Sequence, residues 1–156
     1  MSVDGPVPTV DTTCDDALGA DDVTGLLARL ARREVSAGEL RAAAVARAQV
    51  ANTTLNAVAA WVGPDFVPDV AVPSDAAFGG IPSLVKDNED LVGFVTTEGS
   101  WSMPERPATA SAPWAAQYLR LGLAPIARTT LPEFGLTAST ESERFGATRN
   151  PWDTSR

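Results

Sequence analysis

The sequence predicts an α/β fold, and three observations support this prediction. Two segments with helical spacing of apolar residues come first, short apolar runs of strand length follow, and a further helix separates the last two runs. The resulting order of helix, strand, loop, strand, helix and strand is typical of α/β domains. The 156 residues suffice for one ordinary domain, and an apolar fraction of 44% is enough to form a core.

The helical part follows a polar beginning. Residues 1–20 are polar and contain Pro, Gly and Asp, which predicts a poorly ordered lead-in before a single domain over 21–156. Asp22 is the predicted N-cap of the first helix, and Ser36-Ala37-Gly38-Glu39 has the form of a capping box that starts a second helix ending near Asn52. The apolar positions of the first helix are Val23, Leu26, Leu27 and Leu30.

Three strands are predicted after these helices. They cover about Leu55 to Val62, Ser83 to Lys86, and Leu123 to Thr129. Residues 63–78 contain three prolines and residues 101–110 contain two, so both segments are predicted loops.

A third helix is predicted between the last two strands. Ser111 is its expected N-cap, Pro113 lies in its first turn, and Gly122 is the residue expected just after its end. The tail over 130–156 carries few periodic signals.

Composition excludes several classes of function. The net charge of −8 argues against nucleic acid or an anionic membrane surface as a partner. No apolar run reaches the roughly 20 residues that span a bilayer, and the first residues lack the pattern of a signal peptide. Cys14 is the only cysteine and histidine is absent, which excludes a disulfide framework, a thiolate metal cluster and a histidine-based triad within this chain. We therefore expect a cytoplasmic protein without a metal or cofactor.

Lys86 is the most informative residue of the chain. It is the only lysine among 12 basic residues, and the others are all arginine. An amine can lose a proton when buried and then act as a base, whereas a guanidinium cannot. Burial at the end of a strand would lower the pKa of such an amine, which could then activate a serine. The alternative is a structural lysine paired with Asp87, Glu89 or Asp90.

Neighbouring segments have simpler interpretations when each is taken alone. Residues 87–90, three of which are acidic, do not match a calcium-binding loop and are expected to form a solvated turn. The Thr96–Ser100 segment offers hydroxyl groups on a turn. Phe134 is expected to be buried in the core, and Asn150-Pro151-Trp152 is expected to form a turn with a buried aromatic side chain.

Taken together, four segments resemble the amidase signature family of serine hydrolases. The order and approximate spacing of the segments also match that family, over about Leu55 to Arg156. The segments are Gly80-Ile81-Pro82-x-x-Val85-Lys86-Asp87-Asn88, Gly93-x-x-Thr96-Thr97-x-Gly99-Ser100, Arg128-Thr129-x-x-Pro132-Glu133-Phe134-Gly135 and Phe145-Gly146-Ala147-Thr148-Arg149-Asn150-Pro151-Trp152-Asp153.

The resemblance implies the N-terminal part of a mixed β-sheet covered by helices, and a triad of lysine, a serine with a cis peptide and a nucleophilic serine. Lys86 matches the lysine, and Glu133, Phe134 and Gly135 match positions expected to line the near side of the substrate pocket. The implied substrate is a small-molecule amide, and no cofactor is implied. The segment from Ser111 to Trp114, followed by Leu123 to Arg128, is similar to the branch with cyclic-amide and oligomer hydrolases.

One departure from the family pattern limits the expected activity. The two family serines lie in a Gly-Gly-Ser-Ser-Gly-Gly-Ser type stretch, which these 156 residues do not contain, and Ser155 has no glycine-rich context. We therefore expect an amidase in the full-length form and no hydrolysis by this chain alone. The alternatives are one half of a split amidase and a non-catalytic binding or scaffold protein. A homo-oligomer and a complementing C-terminal chain are the protein partners left open.

Overall fold

The computed structural model describes residues 9–11 and 14–156. The predicted lead-in over 1–20 therefore lies partly outside the described residues. In its described part, Ala17 and Leu18 pack against a cluster of buried residues, and the Asp16 carboxylate pairs with Arg47 at 2.5 Å.

Both predicted N-terminal helices are confirmed. Helix α1 spans Val23–Ala31, and the Asp22 carboxylate accepts a hydrogen bond from the Gly25 N–H at 2.9 Å. Helix α2 spans Ala37–Leu55, beyond the predicted end near Asn52. The capping box is present, since Ser36 Oγ accepts from the Glu39 N–H and the Glu39 carboxylate accepts from the Ser36 N–H.

The predicted α/β fold is confirmed as a mixed three-stranded sheet with helices. Strand β1 is Val58–Trp61, β2 is Pro82–Lys86 and β3 is Ala124–Thr129. The strand order is β1-β3-β2, with β1 antiparallel and β2 parallel to β3. Because β3 has a partner on each side, four of its six residues are buried, whereas β2 lies at an edge and has one buried residue.

Helix α3 spans Pro113–Arg120 and connects the two parallel strands, but its predicted N-cap is wrong. Ala112 occupies the N-cap position without a side-chain hydrogen bond. The Ser111 hydroxyl instead donates to the Asp69 carboxylate at 2.6 Å and accepts from the Val92 N–H. Ser111 therefore connects the proline-rich loop to the segment after β2 rather than beginning the helix.

The end of α3 agrees with the prediction. Gly122 follows the helix with a φ of +85°, and a Cβ at this position would lie 2.8 Å from both Ala76 Cβ and Gly79 Cα. Both the left-handed backbone and this close approach require glycine.

The buried apolar residues form two clusters. The first joins α1, α2 and the residue before β2, through Leu26, Val35, Leu40 and Ile81. The second joins Val62, which follows β1, to Leu91 and to Leu119 of α3. In the described part of the chain, no helix is both long and apolar enough to cross a bilayer.

The tail after β3 forms short elements that periodicity did not predict. Glu133–Gly135 is one turn of 3-10 helix, and β4, Glu141–Ser142, pairs antiparallel with β5, Gly146–Ala147. Asn150 and Asp153 close the expected turn, but Trp152 is 83% exposed, so the prediction of a buried aromatic side chain is wrong. Among the residues that the structure describes, the groups around that turn do not enclose the indole ring.

Candidate active site

Lys86 is the last residue of β2, where it lies opposite Thr129 of β3. Its side chain is exposed, so the expected burial is wrong for this chain. The physical reason is the position of β2 at the edge of the sheet, with a partner strand on one side only. Among the described residues Lys86 has no ion pair within 4 Å, which argues against the alternative of a structural ion-paired lysine.

The residue after Lys86 is buried and ion-paired. Asp87 is 1% exposed and Arg128 is 0% exposed, so the expectation of a fully solvated acidic turn is wrong at Asp87. Oδ1 of Asp87 accepts a hydrogen bond from Nε of Arg128 at 3.0 Å and forms an ion pair with Nη2 at 2.8 Å. Oδ2 of Asp87 accepts from the hydroxyl of Thr97, which is also buried. Both carboxylate oxygens are therefore satisfied, as a buried charge requires.

The same guanidinium contacts the second family-like segment. Nη2 of Arg128 donates to Thr96 Oγ1 at 3.3 Å, and the Thr96 hydroxyl donates to the Asp90 carboxylate at 2.6 Å. Nη1 of Arg128 is buried and has no hydrogen-bond partner among the described residues. Arg128 thus connects β3 with the turn after β2 and with the turn over 96–100.

The 96–100 turn lies between Asp87 and the 3-10 turn of the tail. The Glu98 N–H donates to the Asp87 carbonyl at 3.1 Å, and the Glu98 carbonyl accepts from the Phe134 N–H at 2.8 Å. Glu98 and Phe134 have φ values of +50° and +53°. Non-glycine residues adopt this conformation at a cost in free energy, and such residues are often found at functional sites.

Gly99 allows the two turns to approach each other. A Cβ at Gly99 would lie 3.0 Å from the Leu131 carbonyl oxygen, and the φ of Gly99 is +69°. Any other residue would separate the turns or strain the backbone.

The predicted substrate-binding residues lie on the surface of the 3-10 turn. Glu133, Phe134 and Gly135 are all exposed, and the Phe134 side chain is not buried in the core as expected, because the residue is 44% exposed. Two backbone hydrogen bonds, from Phe134 to Glu98 and from Glu98 to Asp87, connect this turn to the neighbour of Lys86. The structure thus connects the four predicted site residues through the backbone of the 96–100 turn.

An acidic cleft opens beside these turns. It has a volume of about 780 Å³, and its walls include Glu89, Asp90, Glu98 and Arg106. Burial is the main cause that raises the pKa of Glu98, and the Asp87 and Glu89 carboxylates raise it further while Lys86 lowers it. The ionised form of the Glu98 carboxylate is therefore disfavoured.

A second groove lies on the α2 side of the sheet. Its volume is about 710 Å³, and its mainly apolar walls include Ala48, Ala51, Leu84 and Trp152. It contains none of the predicted site residues. Among the described residues, no group of three or more His, Cys, Asp or Glu side chains is placed to hold a metal ion.

Sequence reasoning did not identify Arg128 as the buried ion-pair partner of Asp87. The sequence contains a signal for this ion pair, because an arginine inside the apolar run from Leu123 to Thr129 requires a carboxylate partner if the strand is buried on both faces. Asp87 follows the neighbouring strand of the sheet and is the partner that the parallel pairing supplies.

Comparison with known proteins identifies the family to which this chain belongs. The family model for amidases matches residues 39–156, so the chain belongs to the amidase family. The AmiC protein of Mycobacterium tuberculosis is 35% identical over 143 residues, which are 90% of this chain and 30% of AmiC. One of the subunits of the glutamyl-tRNA(Gln) amidotransferase of Limosilactobacillus fermentum is 31% identical over 141 residues, which are 86% of this chain and 29% of that protein.

Solved structures confirm the fold. A 6-aminohexanoate cyclic dimer hydrolase in complex with substrate superposes with a TM-score of 0.73 and 28% identity, covering 87% of this chain and 29% of the hydrolase. The native peptide amidase of Stenotrophomonas maltophilia superposes with a TM-score of 0.69 at 24% identity, covering 88% of this chain and 31% of the amidase. This chain thus spans about 30% of the length of the relatives that it matches and carries a partial amidase fold.

Proposed function

We propose that Lys86 is the catalytic base of an amidase that hydrolyses a small-molecule amide to an acid and an amine or ammonia. The observation that carries this proposal is the placement of the only lysine at the end of β2, next to the buried Asp87. Membership in the amidase family supports the same class of reaction.

The proposed chemistry passes through an acyl-serine. A neutral Lys86 amine accepts a proton from a bridging serine, and that serine accepts the proton of the nucleophilic serine as the nucleophile attacks the amide carbonyl. The amine or ammonia leaves with a proton, and water then releases the acid. In the 156 residues the amine is exposed, so the burial that would favour its neutral form has to come from groups outside these residues.

The same proposal assigns no hydrolysis to the 156 residues alone. They contain Lys86 but no Gly-Gly-Ser-Ser-Gly-Gly-Ser type stretch, and therefore neither the two serines nor the backbone donors that stabilise an oxyanion. Removal of one such donor typically lowers the rate by about 10²–10³-fold. A complementing chain or a longer form of the protein would have to supply these groups.

Glu133, Phe134 and Gly135 are proposed to line the acyl side of the substrate pocket. Their exposure and the hydrogen bond from Phe134 to the turn beside Asp87 support this role. A cyclic or oligomeric amide is the proposed substrate type, because a solved relative is a 6-aminohexanoate cyclic dimer hydrolase.

The test compares Lys86→Ala and Lys86→Arg in the protein assembled with the Gly/Ser-rich stretch, using small aliphatic and aromatic amides as substrates. We expect both variants to lose at least about 10²-fold in kcat, because loss of a general base typically costs about 10²–10⁴-fold and arginine does not deprotonate. In the isolated 156-residue chain, Lys86 is exposed and has no ion pair among the described residues, so both variants of that chain should unfold at the wild-type temperature.

Each outcome of this test separates the alternatives. Substantial turnover by Lys86→Arg would remove Lys86 from the role of base. Turnover by the isolated 156-residue chain would contradict the need for added serines. Lack of hydrolysis by the assembled wild-type protein, with an intact biological role in Lys86→Ala, would instead favour the binding or scaffold alternative.

A further inference from the structure

Arg128 lies on β3, opposite Val85 of β2, and forms an ion pair with Asp87, the residue after Lys86. Its guanidinium is fully buried and contacts one oxygen of the Asp87 carboxylate, through a hydrogen bond from Nε at 3.0 Å and an ion pair with Nη2 at 2.8 Å. Asp87 is also held through its backbone, because its N–H donates to the Thr129 carbonyl at 3.0 Å and its carbonyl accepts from Glu98. Few conformations are left to the backbone from which Lys86 projects.

The direction of the Lys86 side chain follows from that of Asp87, because side chains alternate between the two faces of a strand. Val85 and Asp87 are buried, whereas Lys86 between them is exposed. Successive side chains of an extended segment point to opposite faces, so holding the Asp87 side chain inward directs Lys86 outward. A shift of Asp87 would therefore change the direction of the Lys86 side chain.

The same guanidinium also restrains the turn that carries the predicted substrate-binding residues. Nη2 of Arg128 donates to Thr96, and the 96–100 turn then contacts Phe134 through the carbonyl of Glu98. The Arg128 side chain is therefore connected to Asp87, which follows the candidate base, and through the 96–100 turn to the Glu133–Gly135 turn.

Stability alone does not account for this arrangement. A buried ion pair is weak evidence of a stabilising role, and Nη1 of Arg128 is a buried donor without a partner among the described residues. A well-packed apolar pair would avoid that penalty. The missing partner of Nη1 is consistent with a positional role for Arg128, in which Nε and Nη2 fix the positions of Asp87 and Thr96.

We propose that Arg128 is a positioning residue that sets the direction of Lys86 and the distance between Lys86 and the Glu133–Gly135 turn. The proposal rests on the proposed function for its catalytic consequence, but its structural consequence can be measured without activity. A lysine at position 128 would keep the charge but lose the planar geometry that reaches Asp87 and Thr96 together.

The test uses Arg128→Lys with Arg41→Lys as the matched control. Arg41 makes three hydrogen bonds, to the carbonyls of Pro125, Val62 and Gly63, and Pro125 lies near the opposite end of β3 from Thr129. In Arg128→Lys we expect hydrogen exchange of the Glu98 and Phe134 amides to accelerate at least about tenfold, with the Leu26 amide of α1 unchanged. In Arg41→Lys the Glu98 and Phe134 amides should keep their wild-type rates.

The activity arm uses the assembled, amide-hydrolysing protein. We expect Arg128→Lys to lower kcat at least about tenfold while KM changes less than about twofold, because misplacement of a reacting group by 1 Å can cost about 10²-fold. Arg41→Lys should change neither constant by more than about twofold. If Arg128→Lys does not fold, Thr96→Val replaces it, since that variant removes the contact to Arg128 without burying a charge.

Wild-type exchange at Glu98 and Phe134 in Arg128→Lys would overturn the proposal. So would a loss of kcat no larger than in Arg41→Lys, or a change confined to KM. If the assembled wild-type protein hydrolyses no amide, the proposed function fails, and the exchange rates still decide whether Arg128 positions the two turns.

Discussion

At the scale of single residues, the stability of the candidate site depends on buried charges beside the exposed Lys86. Lys86 is exposed, whereas Asp87 and Arg128 are almost completely buried. Each partner of the buried pair would be an uncompensated charge without the other. The largest effects of substitution on stability should therefore fall on the neighbours of the proposed base.

Asp87→Ala should lower the free energy of unfolding by about 3–5 kcal/mol, because it leaves the Arg128 guanidinium buried without a counter-charge. Urea denaturation of the 156-residue chain measures this change. The double variant Asp87→Leu/Arg128→Met should lose much less than Asp87→Ala, since no lone charge remains. Glu34→Gln, which removes an exposed pair with Arg32, should have no measurable effect. Equal stability of Asp87→Ala and wild type would contradict the buried pair.

Glu98→Gln should stabilise the chain at neutral pH but not in acid. Burial, with the Asp87 and Glu89 carboxylates, raises the pKa of Glu98 in the folded state. The stability linked to its protonated form is fully present below the ordinary glutamate pKa of about 4.3 and is lost as pH rises through the raised value. The gain in urea midpoint should therefore appear as pH rises above about 4 and vanish below it.

The control for Glu98→Gln is Glu143→Gln, at an exposed position of the β4–β5 hairpin. Its urea midpoint should follow the wild-type midpoint at every pH. If Glu98→Gln raises the urea midpoint equally at pH 3 and pH 7, the stabilisation does not come from removal of the Glu98 charge.

At the scale of elements, the junction between α2 and β1 holds the tail against the sheet. Asn56 follows α2 with a φ of +53°, and its side-chain amide donates to the carbonyls of Phe145 and Ala147. The Asn52 side chain accepts hydrogen bonds from the N–H groups of Ala57 and Val58 at 2.7 and 2.9 Å. The Asn52 bonds satisfy backbone donors at the point where the helix ends and the strand begins. The Asn56 bonds connect the tail to this junction.

Asn52→Ala should lower the free energy of unfolding by about 1–3 kcal/mol, because it leaves two partly buried backbone donors without their acceptor. Thermal or urea unfolding measures the loss. Thr54→Ala is the matched control in the same turn of α2, where the side chain is exposed and alanine favours the helix. A loss by Thr54→Ala as large as that by Asn52→Ala would assign the effect to the helix and not to the junction.

At the scale of the whole molecule, apolar side chains remain exposed beside an open sheet edge. Leu84 of the edge strand is 46% exposed, and Trp114 of α3, which stacks on Tyr118 at 5.3 Å, is 53% exposed. Edges of sheets and contiguous apolar surface favour association with other chains. The exposed apolar surface is a feature of the assembled 156 residues, because it combines side chains of β2 and of α3.

The isolated chain should therefore self-associate as its concentration rises, and Leu84→Lys should reduce that association by placing a charge on the β2 edge. Sedimentation velocity over a range of concentrations measures both effects. Leu136→Lys, at a position that is 80% exposed but outside the sheet, should leave the association unchanged. A monomer at all concentrations, with cooperative unfolding, would contradict this prediction.

Local patterns in the sequence sufficed for the helices, the three strands and the amidase family. The capping box at Ser36, the apolar spacing of α1 and the glycine after α3 each involve residues close together in the chain, where short-range geometry dominates. The family segments likewise follow one another in order, and the family model confirms the class that they indicated.

The tertiary structure alone decided which polar side chains are buried and which aromatic ones are exposed. Arg128 and Asp87 are 41 residues apart, and only the parallel pairing of β2 with β3 brings their charges together. Lys86, Phe134 and Trp152 were expected to be buried, yet all three are exposed, because burial depends on which elements surround a side chain in space. The residue types and their order predicted the class of protein and a candidate base, whereas long-range packing determined that Asp87 and Arg128 beside this candidate are buried as an ion pair.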